Sequence, residues 1–165
     1  MIEQRSDFDD EMTITSINDS ICWYYILIDD YLTALHYCQK LLLIYKRFKS
    51  NNKQHYIEGY VKTCGRLGLI LYKLDDYIES FTYCIKSINT YNDCLKSLYI
   101  VLNTAIADVY AILADIYFKF NEISLAYNCY LEALKLFHRN TDPDSLSHKG
   151  IKRVHKLLKQ LKHMN

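Results

Sequence analysis

Proline is nearly missing from this chain: Pro143 is the one instance in 165 residues, and glycine occurs four times. A β-rich fold needs more turn-formers than that, so the scarcity points to an all-α protein. No apolar run reaches the eighteen uncharged residues of a membrane span. The acidic start lacks the basic-then-apolar pattern of a signal peptide. The six cysteines never form C-x-x-C, and without a secretion signal they are expected as free thiols in a reducing, cytoplasmic setting. No H-E-x-x-H, G-x-S-x-G or nucleotide fingerprint is present. Gly65-x-x-Gly68 lacks the Lys-Ser/Thr of a phosphate loop and falls inside a helical pattern. These absences argue against an enzyme, a metal site and a cofactor.

What is present is apolar and evenly spread. Half the residues are hydrophobic and 24% are charged, which excludes disorder and supports one packed domain. The net charge of +1 gives no reason to expect a nucleic-acid partner. Charge is nevertheless polarised. Residues 1–30 hold eight acids against Arg5, and residues 144–165 hold six Lys or Arg and three His against Asp144.

A shift of 46 residues superimposes the chain on itself twice without a gap. It maps Ala114 to Gly68 and Cys22, Ala126 to Ser80 and Ala34, and Tyr117 to Leu71 and Tyr25. It maps Tyr130 to Cys84 and Cys38, and Phe137 to Tyr91 and Tyr45. Polar breaks recur in step at Asp29-Asp30, Asp75-Asp76 and Asn121-Glu122.

Each copy reads as two helices. Tyr110, Leu113, Ala114 and Tyr117 lie at i, i+3, i+4 and i+7, one helical face. The small residue at 22, 68 or 114 lets the partner helix come close. The Asp or Asn at the break caps the second helix. Helices are expected over about 9–27, 30–49, 54–73, 76–91, 95–119 and 122–138, after a frayed stretch at 1–8. Units then run over about 9–50, 54–93 and 95–140. A polar turn Ser50-Asn51-Asn52-Lys53 and a loop Arg139–Asp144 punctuate them. A last helix, about 145–163, carries Ile151, Val154, Leu158 and Leu161 on one side and cations elsewhere, suiting it to cover an open end. His148, His155 and His163 then belong to a solvated basic face. Cys22, Cys38 and Cys84 fall in core slots, and Cys94 is the thiol expected to be exposed.

The slots at Tyr110, Leu113, Ala114, Tyr117, Ala126, Tyr130 and Ala133 resemble the tetratricopeptide repeat. Residues 64–87 match through Leu67, Gly68 and Tyr77, and residues 18–41 through Tyr25, Tyr31 and Ala34. The period of 46 exceeds that family's usual ~34. Asp142-Pro143-Asp144 is similar to the loop of the longer repeats in kinesin light chains. The resemblance implies an α–α superhelix, or solenoid, of three such hairpins plus a C-terminal capping helix.

It also implies a concave groove lined by first helices: Trp23, Ile26, Lys62, Arg66, Leu69, Tyr72, Lys73, Asp115, Phe118 and Lys119. Trp23 is the leading anchor. Lys62, Arg66, Lys73 and Lys119 would steer an acidic partner segment. Relatives that clamp a chaperone's C-terminal carboxylate use Lys, Asn, Asn, Lys and Arg. The matching residues here are Asp19, Trp23, Leu69, Asp108 and Ile112, so that ligand is not expected. The expected function is a non-catalytic adaptor that binds a peptide or helical segment of another protein. The alternative is a scaffold in which the acidic start of one copy meets the basic end of the next, giving weak head-to-tail self-association.

Overall fold

The computed structural model describes residues 3–47, 53–93, 99–139, 152 and 154–160. The elements are α1 (Glu3–Leu27), α2 (Tyr31–Arg47), α3 (Lys53–Lys73), α4 (Tyr77–Asp93), α5 (Tyr99–Lys119) and α6 (Ile123–His138), with a short helical segment, α7, at 154–160. Among the described residues there is no strand. Helix α1 reaches back to Glu3, into the stretch expected to be frayed. Lys53 starts α3, and the rest of the Ser50–Lys53 turn, Cys94, the Pro143 loop, His148 and His163 lie outside the described residues.

The two residues of each break do different work. Asp29, Asp75 and Asn121 take the left-handed conformation, with φ of 60°, 62° and 63°. The N–H of Asp29 bonds the Ile26 carbonyl and that of Asp30 bonds the Tyr25 carbonyl, at 3.2 and 3.0 Å. Asp75 with Tyr72, Asp76 with Leu71, Asn121 with Phe118 and Glu122 with Tyr117 repeat the pair. This is the Schellman arrangement, which satisfies the last carbonyls of a helix and turns the chain back. Asp and Asn are, after glycine, the residues that tolerate it best. Capping of the next helix falls to the second residue: Asp30 Oδ1 accepts from the Thr33 N–H and Asp76 Oδ1 from the Glu79 N–H, both at 3.1 Å. The third break departs from expectation. Glu122 is the N-cap of α6 and makes no side-chain cap bond.

Turned back in this way, α1 packs on α2, α3 on α4 and α5 on α6. Fully buried small residues face each other across these pairs. Cys22 Sγ donates to the Ala34 carbonyl at 3.6 Å, and Ser80 Oγ donates to the Gly68 carbonyl at 2.6 Å. Ala114 and Ala126 hold the same places. A Cβ added at Gly68 would stand 2.7 Å from Cys84 Sγ, so this hairpin has no room for one. Tyr45, Tyr91 and Phe137, 46 residues apart, are buried toward the ends of the second helices, and Tyr45 and Tyr91 lie against the first helix of the next hairpin. The Tyr45 ring occupies the space a side chain at Gly59 would need.

The hairpins join through their second helices: α2 packs on α3 and α4 on α5, while α3 also touches α5. Cys38 Sγ donates to the Thr63 carbonyl at 3.6 Å. Tyr91 donates to Asn103 Oδ1 at 2.8 Å inside the α4–α5 contact, so this buried amide is partnered. Cys84 and Ile88 of α4 cluster with Val109, Leu113 and Ile116 of α5. Buried Val154 and Leu158 bring α7 into the same core as α6.

Gly68→Ala should lower stability by about 1–3 kcal/mol through overpacking. Adding Cys84→Ala should return part of that loss, a non-additivity that urea unfolding of the four variants would reveal. At the third break, Asn121→Gly should stabilise by about 0.5–1 kcal/mol and Asn121→Ala should destabilise by about 1 kcal/mol, because only the first relieves the left-handed backbone.

Candidate functional site

Close packing of α3, α5, α6 and α7 leaves a cavity of about 510 Å³ lined by Tyr72, Asp115, Phe118, Lys119, Tyr130, Lys156, Leu157 and Gln160. Helical spacing sets the contribution of α5. Asp115, Phe118 and Lys119 are related by i+3 and i+4, so they share the face opposite the buried Val109, Leu113 and Ile116. Phe118 is 40% exposed, large for a ring on a packed helix. Tyr130 is buried and reaches across from α6 to donate a hydrogen bond to Asp115 Oδ1. The carboxylate therefore sits in the wall with a donor already on it.

Lys119 is held from outside the cavity. Its Nζ donates to the Tyr77 hydroxyl, lies 4.3 Å from the centre of that ring and 3.7 Å from Asp75 Oδ1. The Tyr77 hydroxyl in turn donates to Asp75. These contacts raise the Lys119 pKa above its ordinary value, the hydrogen bond to Tyr77 first, and lower that of Asp75, again through Tyr77 first and then Lys119. Both groups stay charged at neutral pH. Lys156 is exposed on α7 and has no carboxylate partner among the described residues. The cavity thus has two ammonium groups, two phenol rings, a phenyl ring and a leucine, with one carboxylate that is hydrogen-bonded in its wall.

A second cluster lies on α1 and α3. Arg66 pairs with Asp19 and lies 5.5 Å over the Trp23 ring. Burial opposes the charge on Arg66, but the hydrogen bond and charge of Asp19 more than offset it, and the guanidinium pKa is raised. Trp23 is 38% exposed beneath this cover.

Of the ten residues expected in one groove, Tyr72, Asp115, Phe118 and Lys119 meet in the cavity, and Trp23 and Arg66 form the separate cluster. Leu69 is half-buried and packs against both core clusters. Lys73 is exposed at the end of α3. Lys62 is paired with Glu58 one turn earlier on α3, 2.5 Å away. Ile26 needs correcting: at 7% exposure it belongs to the core and offers no groove surface. The cations expected to steer a partner are also partly engaged, since Arg66, Lys62 and Lys119 already have carboxylates.

Tyr130, Lys156, Leu157 and Gln160 were not foreseen as lining residues. Tyr130 looks like pure core from its slot, and its reach to Asp115 depends on how α6 crosses α5. For α7 the apolar stripe predicts a helix, but the 46-residue frame fails there and assigns its residues no place in a groove.

The described thiols are buried to different degrees and differ in acidity: the hydrogen bond with Cys38 and the nearby Arg66 lower the Cys22 thiol, although it has no exposed surface. Burial pushes the Cys64 and Cys129 thiols up to about 11 and Cys84 to about 12, so they are protonated at neutral pH. Cys22 and Cys38 are fully buried. No group of three metal-ligating side chains is found among the described residues, and no helix there is long and apolar enough to cross a membrane.

Arg66→Met should cost about 1 kcal/mol, the scale of a partly screened ion pair, and leave Asp19 unpaired. It should also shift the emission of Trp23, the sole tryptophan, to longer wavelength as the ring loses its cover. Unchanged emission would show that the stacked contact does not exist in solution. No family model, no curated protein and no solved structure matches this chain, so its function has to be read from the cavity and its surroundings.

Proposed function

We propose that this chain is a non-catalytic interaction module, a solenoid similar to tetratricopeptide repeat proteins, that takes a short acidic segment of another protein. The cavity between α3, α5, α6 and α7 carries the reading. Lys156, which has no carboxylate partner among the described residues, and Lys119, already held by Asp75 and Tyr77, line a space walled by rings and a leucine. Such a space favours an apolar side chain flanked by carboxylates over either feature alone. Lys119 is oriented in advance by Tyr77, so its ordering costs less on binding. The one acidic wall residue, Asp115, is turned to Tyr130 and repels an incoming carboxylate less than a bare one would. A cytoplasmic setting suits the free thiols among the described residues.

The relation to the long-repeat members of that family rests on three features: the repeated small-residue contacts, the repeated left-handed breaks, and the joining of hairpins through their second helices. Trp23 is a secondary contact in this reading. It stands apart from the cavity under Arg66.

Selection of random displayed peptides against the whole chain should enrich Asp or Glu beside an apolar or aromatic residue. Lys156→Glu should weaken the best of them about tenfold or more, and Phe118→Ala should do likewise. Binding should also fall as salt is raised. Selected peptides that ignore both substitutions, or that carry no acidic residue, would refute the assignment.

A further inference from the structure

The two ends of the helical stack are not alike. On α3 the face toward α2 is Tyr60, Thr63, Leu67 and Ile70, of which all but the half-buried Tyr60 are buried. On α5 the equivalent residues 46 positions later are Ile106, Val109, Leu113 and Ile116, all buried against the preceding hairpin. Counting back from α3, the same face of α1 is Ile14, Ile17, Ile21 and Tyr24. Here no hairpin precedes it among the described residues. Ile14, Ile17 and Tyr24 are 50%, 54% and 57% exposed, and Ile28 just beyond is 52% exposed.

The stripe runs 14, 17, 21, 24, 28, alternating steps of three and four. That is the a/d seam by which one helix packs against another. Residues 3–12 continue the same helix in line, so they do not fold back over it. Along the stripe, unlike the acidic first turns of the same helix, there is no net charge. Between residues 13 and 27 the only Asp, Glu, His, Lys or Arg is Asp19, and it is taken up by Arg66.

At the other end, α7 already covers α6 with Val154 and Leu158. Its outward residues His155, Lys156 and Lys159 are exposed, as is Lys152 before it. A cationic face does not complement an apolar seam, so the last helix of one copy is a poor fit for α1 of the next. The stripe that matches α1 in length, spacing and lack of charge is α1 itself.

We propose that α1 is a self-association face, which a second copy of this chain covers by packing its own Ile14–Ile28 stripe against the first. The contact is isologous: each copy presents the same residues to the other, so assembly closes at two chains rather than growing into a filament. It covers on α1 the face that α2 covers on α3 and α4 covers on α5. The proposal is independent of what the cavity binds.

Sedimentation equilibrium of the whole chain, from about 1 to 200 µM, should give twice the chain mass at the upper end. Because the seam is apolar, 1 M salt should leave the dimer intact or tighten it, by about twofold at most. Ile17→Lys should raise the dissociation constant at least ~100-fold by placing an unpaired charge on the seam. Lys159→Glu should leave it unchanged. Circular dichroism confirms that each variant is folded; if Ile17→Lys is not, Ile14→Lys replaces it. A wild type that is monomeric at every concentration would overturn the proposal. So would a dimer that the folded seam variant leaves intact. Assemblies that grow beyond two chains, dissolve in salt and vanish with Lys159→Glu would mean acid-to-base, head-to-tail pairing instead.

Discussion

Close approach of the two helices in each hairpin is the constraint on which the other features depend. The contact is made by Cys22 with Ala34 and by Gly68 with Ser80, and the equivalent residues of the third hairpin, Ala114 and Ala126, are both fully buried. Only small side chains allow it. The middle hairpin is the tightest: its first helix contributes no Cβ, and the space goes to Cys84 Sγ and to Ser80 Oγ, which bonds the Gly68 carbonyl. Tyr45 and Tyr91 on the second helices are nearly buried where they meet the next hairpin, Tyr45 at Gly59 and Tyr91 at Asn103. Packing in interiors tolerates neither a void nor an extra methylene well, so size at one level sets size at the next.

The same geometry links the core to the candidate site. Each left-handed Asp or Asn stops a first helix at one point and reverses the chain. At the second break this reversal puts Asp75 and Tyr77 beside the end of α5, where they hold Lys119. A backbone device that ends a helix therefore also orients a cation at the cavity. Lys73 is the equivalent of Lys119 one unit earlier, beside Asp29 and Tyr31 in the frame. The repeat thus supplies the same side chains twice, while the cavity described here is formed where α6 and α7 close it.

Much of the helical pattern was legible because it depends on local periodicity. Helix α3 was expected over 54–73 and runs from Lys53 to Lys73; α6 was expected over 122–138 and runs from Ile123 to His138. The binding residues were harder to read. Frame position made Ile26 equivalent to Tyr72 and Phe118, yet Ile26 is buried and Phe118 protrudes. A branched aliphatic side chain is short enough to be covered by its neighbours, whereas the larger rings reach past the same neighbours. The frame also could not show that Arg66 and Lys62 would spend their charge on Asp19 and Glu58.

By itself the sequence determined the number of helices in the repeated part, the small-residue slots and the polar breaks, because all three follow from spacing along one chain and from side-chain size. Tertiary structure alone decided which of those residues meet. Tyr130 reaches Asp115, α7 brings Lys156 and Leu157 to Phe118, and the Ile14–Ile28 stripe is left bare while its equivalents on α3 and α5 are packed. The reason is that a helix periodicity states which face is apolar but not what lies against it. That depends on how neighbouring helices cross, and crossing angles are set by contacts between residues far apart in sequence.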